Sequence, residues 1–254
     1  MIIFAVVASA VLAWRERTTF RRGAMERSLA VVTAVDAEVK SSIGTLEALA
    51  ASRHLDTGDL RSFHAEAARA RASQRDWLTI ILALPSSEQV VNVLLPFGTP
   101  LPPTLERASF DELLRRSVPA VGHLARGPVT EHGTTTLVWA FPVRVPVVRD
   151  GTTKYVLSAV VKPDRMRALL AAQRLPPDWV GVLIDANARI VARTVAPEQS
   201  IGELASDSLR TALAQSSEGW FHGTTLEGAD VYTPYHRSAV SGWRQELPTP
   251  SSGE

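Results

Sequence analysis

Hydrolytic or metal chemistry in this chain would have to be assembled from six histidines, His54, His64, His123, His132, His222 and His236. No two of them stand three or four residues apart on a segment of helical periodicity, the spacing that brings two imidazoles onto one metal ion. The chain has no cysteine, so disulfides, thiol nucleophiles and thiolate-bound metal clusters are excluded. It also lacks the G-x-S-x-G turn that exposes a serine, the glycine-rich loops that cradle phosphates, and the H-E-x-x-H pair of a zinc hydrolase. The expected protein is not an enzyme, and no cofactor or metal is expected. A formal net charge of +1, with acidic and basic residues interleaved, gives no footprint for nucleic acid.

What remains is recognition. A half-covered antiparallel sheet can enclose a small pocket, and polar groups inside it must pair with a guest or with one another. The candidate ligand contacts are Asn92, His123, Arg126, Tyr155 and Ser158, with Lys162 beside them. Arg126, in "VGHLARGPV", could fork onto a carboxylate; the plainer reading is a solvated loop arginine. Trp139 could wall the cavity, although five of the six tryptophans fall at starts or middles of expected strands, which is core behaviour.

These residues need elements to position them. From Met25 to about Ser52 there is no proline, and apolar residues recur in steps of three and four: Leu29, Val32, Val35, Val39, Ile43, Leu46 and Leu49. This spacing predicts a long amphipathic helix, able to line one domain and to pair with its twin in a homodimer. Asp59 opens a second helix, 60–73. Strands are expected at 77–84 and 89–95, then an irregular Pro/Gly loop, "PFGTPLPP". The spacing of "SFDE" is that of a capping box between Ser109 and Glu112. Further strands are expected at 120–129, 134–148 and 155–161, with a turn at "TEHG" and a tight one at Asp150-Gly151. Pro142 and Pro146 suggest that the later half of the 134–148 strand is an edge or irregular.

The remainder repeats the theme. A helix at 164–174 precedes strands at 179–184 and 189–194. A helix capped at Ser206 follows, then a hairpin around Glu227-Gly228. "QRDWLTIILALPSSEQVVN" and "PPDWVGVLIDANARIVAR" both start Asp-Trp, run apolar, break and resume apolar. Two similar modules in tandem are therefore expected, the second one shorter.

The amino-terminal run "IIFAVVASAVLAW" is uncharged but shorter than the roughly 20 residues of a full span. It reads as part of a transmembrane helix, as the apolar region of a signal peptide, or as a buried helix. Arg15, Arg17, Arg21, Arg22 and Arg27 follow it, a flank that taken alone would face the cytoplasm.

In order, "TLEALAASRHLDTGDLRSFHAEAARARASQRDWLTIILAL", "VVNVLLPFGTPLPP", "RSVPAVGHLARGPV", "KYVLSAVVKPDRMRALLAAQRLPPDWVGVLIDANARIVART" and "GWFHGTTLEGADVYTPYHRSAVSGW" resemble the double-Cache sensor domains of bacterial transmembrane receptors. The resemblance spans Thr45 to Trp243. It implies an α+β fold: a long N-terminal helix carrying two tandem PAS-like lobes, each an antiparallel sheet with flanking helices. The implied domains are a partial transmembrane segment with its basic flank (1–24), the long signalling helix (25–53), a membrane-distal lobe (54–163), a membrane-proximal lobe (164–243) and an irregular tail (244–254). It further implies a periplasmic location at the plasma membrane, attachment through the N-terminal segment, a homodimer through the long helix, a small-molecule ligand in the distal lobe, and an output such as a histidine kinase. The alternative is a dimerisation or partner-protein module without a small ligand. Both ends depart from the family pattern, and the polar "RQELPTPSSGE" stands where a closing strand is expected, so the chain reads as a truncated sensor piece with an exposed sheet edge.

Overall fold

The structure is a computed structural model, and residues 2–131 and 134–250 are described. His132 and Gly133 of the expected "TEHG" turn, and residues 251–254 of the expected tail, lie outside them.

Helix α1 (Ile2–Ala50) runs unbroken for 49 residues, about 75 Å at 1.5 Å per residue. No proline interrupts it. Its inward face is Ala24, Ser28, Val31, Val35, Val39, Ser42, Leu46 and Leu49, all buried, in steps of three and four. Leu29, expected on that face, is 51% exposed. Ser28 takes the inward position because its hydroxyl donates to Gln245 Oε1 at 2.6 Å and lies 2.9 Å from His236 Nδ1. No helix among the described residues is long and apolar enough to cross a membrane.

Ser52 caps the short α2 (Arg53–Thr57), and Gly58, at φ 73°, ends it in the left-handed region. Asp59 then caps α3 (Leu60–Ser73) by accepting from the Ser62 amide at 3.1 Å.

The first lobe contains β1 (Trp77–Ala83), β2 (Gln89–Asn92), α4 (Ala108–Arg116), β3 (Ala120–Val121), β4 (Ala125–Glu131), β5 (Thr134–Arg149) and β6 (Thr152–Val161). The second contains α5 (Asp164–Ala172), β7 (Val182–Ile184), β8 (Ile190–Arg193), α6 (Pro197–Ser200), α7 (Asp207–Gln215), β9 (Glu218–Thr224), β10 (Asp230–Arg237), β11 (Arg244–Glu246) and β12 (Thr249–Pro250). The first sheet is ordered β2-β1-β6-β5-β3, with β4 also on β5; the second is β8-β7-β11-β10-β12, with β9 also on β10. Position by position the two sheets correspond. The fold is α+β, with two antiparallel lobes strung on one helix, and a shared core along α1 joins Phe63, Leu82 and Phe141 of the first lobe to Leu183 and Trp243 of the second.

That correspondence corrects the expectation for the end of the chain. The closing strand is present: Arg244–Glu246 pairs with β10 on one side and β7 on the other, in the central place that β6 holds in the first sheet. Backbone pairing does not depend on side-chain polarity, so a polar Arg-Gln-Glu segment can fill a sheet centre, at the cost of burying Gln245 and Glu246 completely. Residues 244–250 are therefore not an irregular tail.

Three local expectations also change. The capping box at Ser109 does not form. Helix α4 begins two residues earlier, with Arg107 at the N-cap, Ser109 is buried, and Glu106 instead accepts from the Ser109 amide at 3.2 Å. Strand β5 is continuous through both prolines. The Pro142 carbonyl accepts from Gly122 on the edge away from β6, and Pro146, four residues on, presents its missing N–H to that same edge, so the ladder to β6 is intact. The second Asp-Trp differs from the first: Trp77 begins β1, whereas Trp179 closes a turn on Pro176, three residues before β7. Asp150 and Gly151 take the expected tight turn, both at positive φ (49° and 75°).

Candidate ligand site

The outer face of the first sheet is roofed by the irregular segment between β2 and α4. Between roof and sheet lies a cavity of about 260 Å³. Strand alternation decides its lining. Thr79 and Ile81 of β1, Val138, Ala140, Pro142 and Arg144 of β5, and Ser158 and Val160 of β6 face the cavity; the intervening Phe141, Val143, Leu157 and Ala159 face the α1 core. Ala125, Gly127 and Val129 of β4 form a side wall, and Pro102 to Glu106 form the roof.

Two polar groups cross-link this cavity. In the first, Thr79 Oγ1 donates to Asn92 Oδ1 at 2.6 Å, and Asn92 Nδ2 donates to Gln89 Oε1 at 3.1 Å. The second centres on Arg144. Its Nε donates to Ser109 Oγ at 2.9 Å, Nη1 to Ser158 Oγ at 2.9 Å, and Nη2 to the Glu106 carbonyl at 2.6 Å and the Glu106 carboxylate at 3.4 Å. Ser109 Oγ donates to the same carboxylate. Burial pushes the Arg144 guanidinium down to about 10, with Glu106 opposing the shift, so it is still charged at neutral pH. This cluster ties the roof to the sheet. It needs Gly122 beside it, where a Cβ would collide with Glu106, Pro142 and Ser109.

Of the residues expected to touch a ligand, Asn92 and Ser158 line the cavity, each already bonded within these two groups. The other five stand elsewhere. Tyr155 faces the α1 core because it has the parity of Leu157 and Ala159. His123 sits between β3 and β4, its Nδ1 buried without a hydrogen-bond partner among the described residues. Arg126 is exposed and lies over the Trp139 ring, 5.7 Å from its centroid, as its direct cross-strand neighbour. Trp139, expected as a cavity wall, points the other way and covers Gly202 of the second lobe, since Val138 and Ala140 hold the cavity side. Lys162 donates its amide to Asp76, at the end of β6.

Arg144, Thr79, Gln89 and Glu106 were not among the expected residues. Arg144 carried a readable signal: it is the one charge inside the apolar run "VWAFPVRVPVV", which marks a buried, partnered ion.

Between the second sheet and α7 lies a much smaller void, about 30 Å³, lined in part by Val182, Leu209, Phe221, Thr233 and Glu246. Burial pushes the Glu246 carboxyl well above the usual carboxylate range, with Arg244 opposing, and neither of its oxygens has a hydrogen-bond partner among the described residues. Nearby, Arg193 Nη1 and Nη2 grip Glu227 at 2.6 and 2.7 Å and draw its carboxyl down to about 2. Among the described residues, no group of three His, Asp or Glu is placed to hold a metal ion.

No family model and no curated protein sequence matches the chain. Solved structures do. Methyl-accepting chemotaxis protein X aligns over 93% of this chain and 99% of its own, at TM-score 0.71 and 11% identity. The domain rpHK1S-Z16, described as the extracellular part of a histidine kinase, aligns over 92% and 96%, at TM-score 0.67 and 13% identity. The ligand-binding domain of the Pseudomonas aeruginosa PAO1 amino acid chemoreceptor PctB, in complex with L-Arg, aligns over 89% and 93%, at TM-score 0.67 and 9% identity. The fold is that of the extracellular sensor domains of chemoreceptors and histidine kinases. The long helix with two lobes is the arrangement that the resemblance to double-Cache domains implied.

Proposed function

We propose that this chain is the ligand-sensing, extracytoplasmic part of a membrane-bound signal-transduction receptor, which binds a small molecule in its first, membrane-distal lobe and passes the change through the long helix of a homodimer. The observation that carries this reading is the roofed cavity of about 260 Å³ on the outer face of the first sheet. A lobe serving only as a dimerisation or partner-binding module has no need of such a space, because filling it would add stability. A guest that prefers one arrangement of roof and sheet shifts the population toward it, and only that difference in affinity can signal. The likeness to PctB, a ligand-binding domain with L-Arg bound, supports the reading.

A thermal-shift screen of the full chain against organic acids, amino acids, amines and neutral organics tests it. A ligand at 100 times its Kd adds about 2.7 kcal/mol, which raises Tm by roughly 5–10 °C for a chain of this size. Val138→Phe, which fills the cavity, should abolish the shift. If no compound stabilises the protein in a Val138-dependent way, the reading fails.

A further inference from the structure

We infer that the guest of the first-lobe cavity is an uncharged, largely apolar molecule, not an amino acid or an organic anion. The inference rests on the sensor reading and specifies its ligand. Among the described lining residues the only charged groups are Glu106 and Arg144, and they neutralise each other. Neither is a free counter-charge, and most of their hydrogen-bonding capacity is already used. Arg144 spends Nε, Nη1 and Nη2 on Ser109, Ser158 and Glu106. The Glu106 carboxylate takes the Ser109 amide, the Ser109 hydroxyl and Arg144.

A zwitterion or carboxylate entering this space would meet no free counter-charge. It would have to lose its hydration unpaired or break the pair that holds the roof down. The rest of the lining is Leu78, Ile81, Leu94, Leu105, Val129 and similar apolar side chains. The Thr79–Asn92–Gln89 group leaves at most a hydrogen bond or two for a hydroxyl, carbonyl or ring N–H. An apolar protein cavity of about 150 Å³ accepts benzene. One of about 260 Å³ accepts a molecule of roughly ten heavy atoms by the same scaling.

Two pairs matched in size isolate the charge: octanol against octanoate, and heptanol against L-norleucine. Binding to the full chain is followed by calorimetry and thermal shift, with Val138→Phe and the milder Ala140→Leu as cavity-filling variants, each checked for folding by circular dichroism. The neutral member of each pair should bind at least about a hundredfold more tightly than its charged partner, and either filled cavity should remove the binding. If octanoate or L-norleucine binds as tightly as its neutral counterpart, and a filled cavity blocks it, the ligand class is wrong while the sensor reading stands. If no probe and no compound of the broad screen depends on the cavity, both fall.

Discussion

Phe141 of the first lobe meets Trp243 of the second edge to face, ring centroids 4.6 Å apart and planes at 77°. Both rings are fully buried. Phe141 lies between Ala140 and Pro142, which face the roofed cavity. The same alternation puts Trp139 against Gly202, and just before β4 the Leu124 amide donates to Asp185 of the second lobe at 2.9 Å. One hairpin thus walls the cavity with one face and holds the neighbouring lobe with the other. A guest that moves the wall must move, or strain, the joint between lobes, because packed interfaces shift between discrete arrangements.

Gly202 is the tightest point of that joint. It sits at φ 82°, and a Cβ there would overlap the Trp139 indole. Gly202→Ala should therefore cost about 2–4 kcal/mol, combining a strained backbone with overpacking. Urea unfolding measures the loss. Trp139→Ala in the Gly202→Ala background should recover part of it, since the clash partner is gone.

Asp185 is fully buried and accepts three backbone amides: Asn187 and Arg189 of its own hairpin and Leu124 of the other lobe, each at 2.9 Å. Asp185→Ala leaves all three unpaired. A loss of about 2–4 kcal/mol is expected, with amide exchange accelerated at Leu124 as well as at Asn187 and Arg189. Acceleration confined to 187–189 would show that the inter-lobe bond contributes nothing.

Arg144 and Glu106 are both almost wholly buried. Arg144→Met strands a buried carboxylate and should cost about 3–5 kcal/mol. Combining it with Glu106→Gln should restore much of that, because no charge then remains to be desolvated. A double-mutant cycle in denaturant gives the coupling.

Glu246 predicts a pH dependence. Its folded-state pKa is raised by burial, so between the unfolded value, about 4.3, and the folded value the native state holds a proton that the unfolded state has lost. Stability attributable to Glu246 is therefore fully present below about pH 4.3 and falls as pH rises through the folded pKa. Glu246→Gln should remove this slope and be more stable than the parent at pH 8. His236, whose pKa is lowered by burial, and Glu227, held near 2 by Arg193, act in the opposite sense on the acid side. Subtracting the two stability curves cancels both contributions.

Much of the architecture was legible in the chain itself, because helices and strands announce themselves through local periodicity. The proline-free run to Ala50, the Asp150-Gly151 turn, the roof loop "PFGTPLPP" and the twofold Asp-Trp module all follow from neighbours in sequence. Period-two alternation also separates the faces of β5 and β6. It does not say which face meets α1 and which meets a guest. Tyr155 and Ser158 were therefore equal candidates until packing put one in the core and the other in the cavity. Trp139 went to Gly202 for the same reason. The place of Arg244–Glu246 is a purely tertiary result: a short polar strand carries no apolar pattern, and it is held by backbone bonds to β7 and β10, which lie far from each other in sequence. The amino-acid sequence alone determined two lobes on a long helix. Only the folded chain decided where the cavity lies, that its two charges are spent on each other, and that its wall is also the joint between the lobes, since each depends on contacts between residues that no local spacing relates.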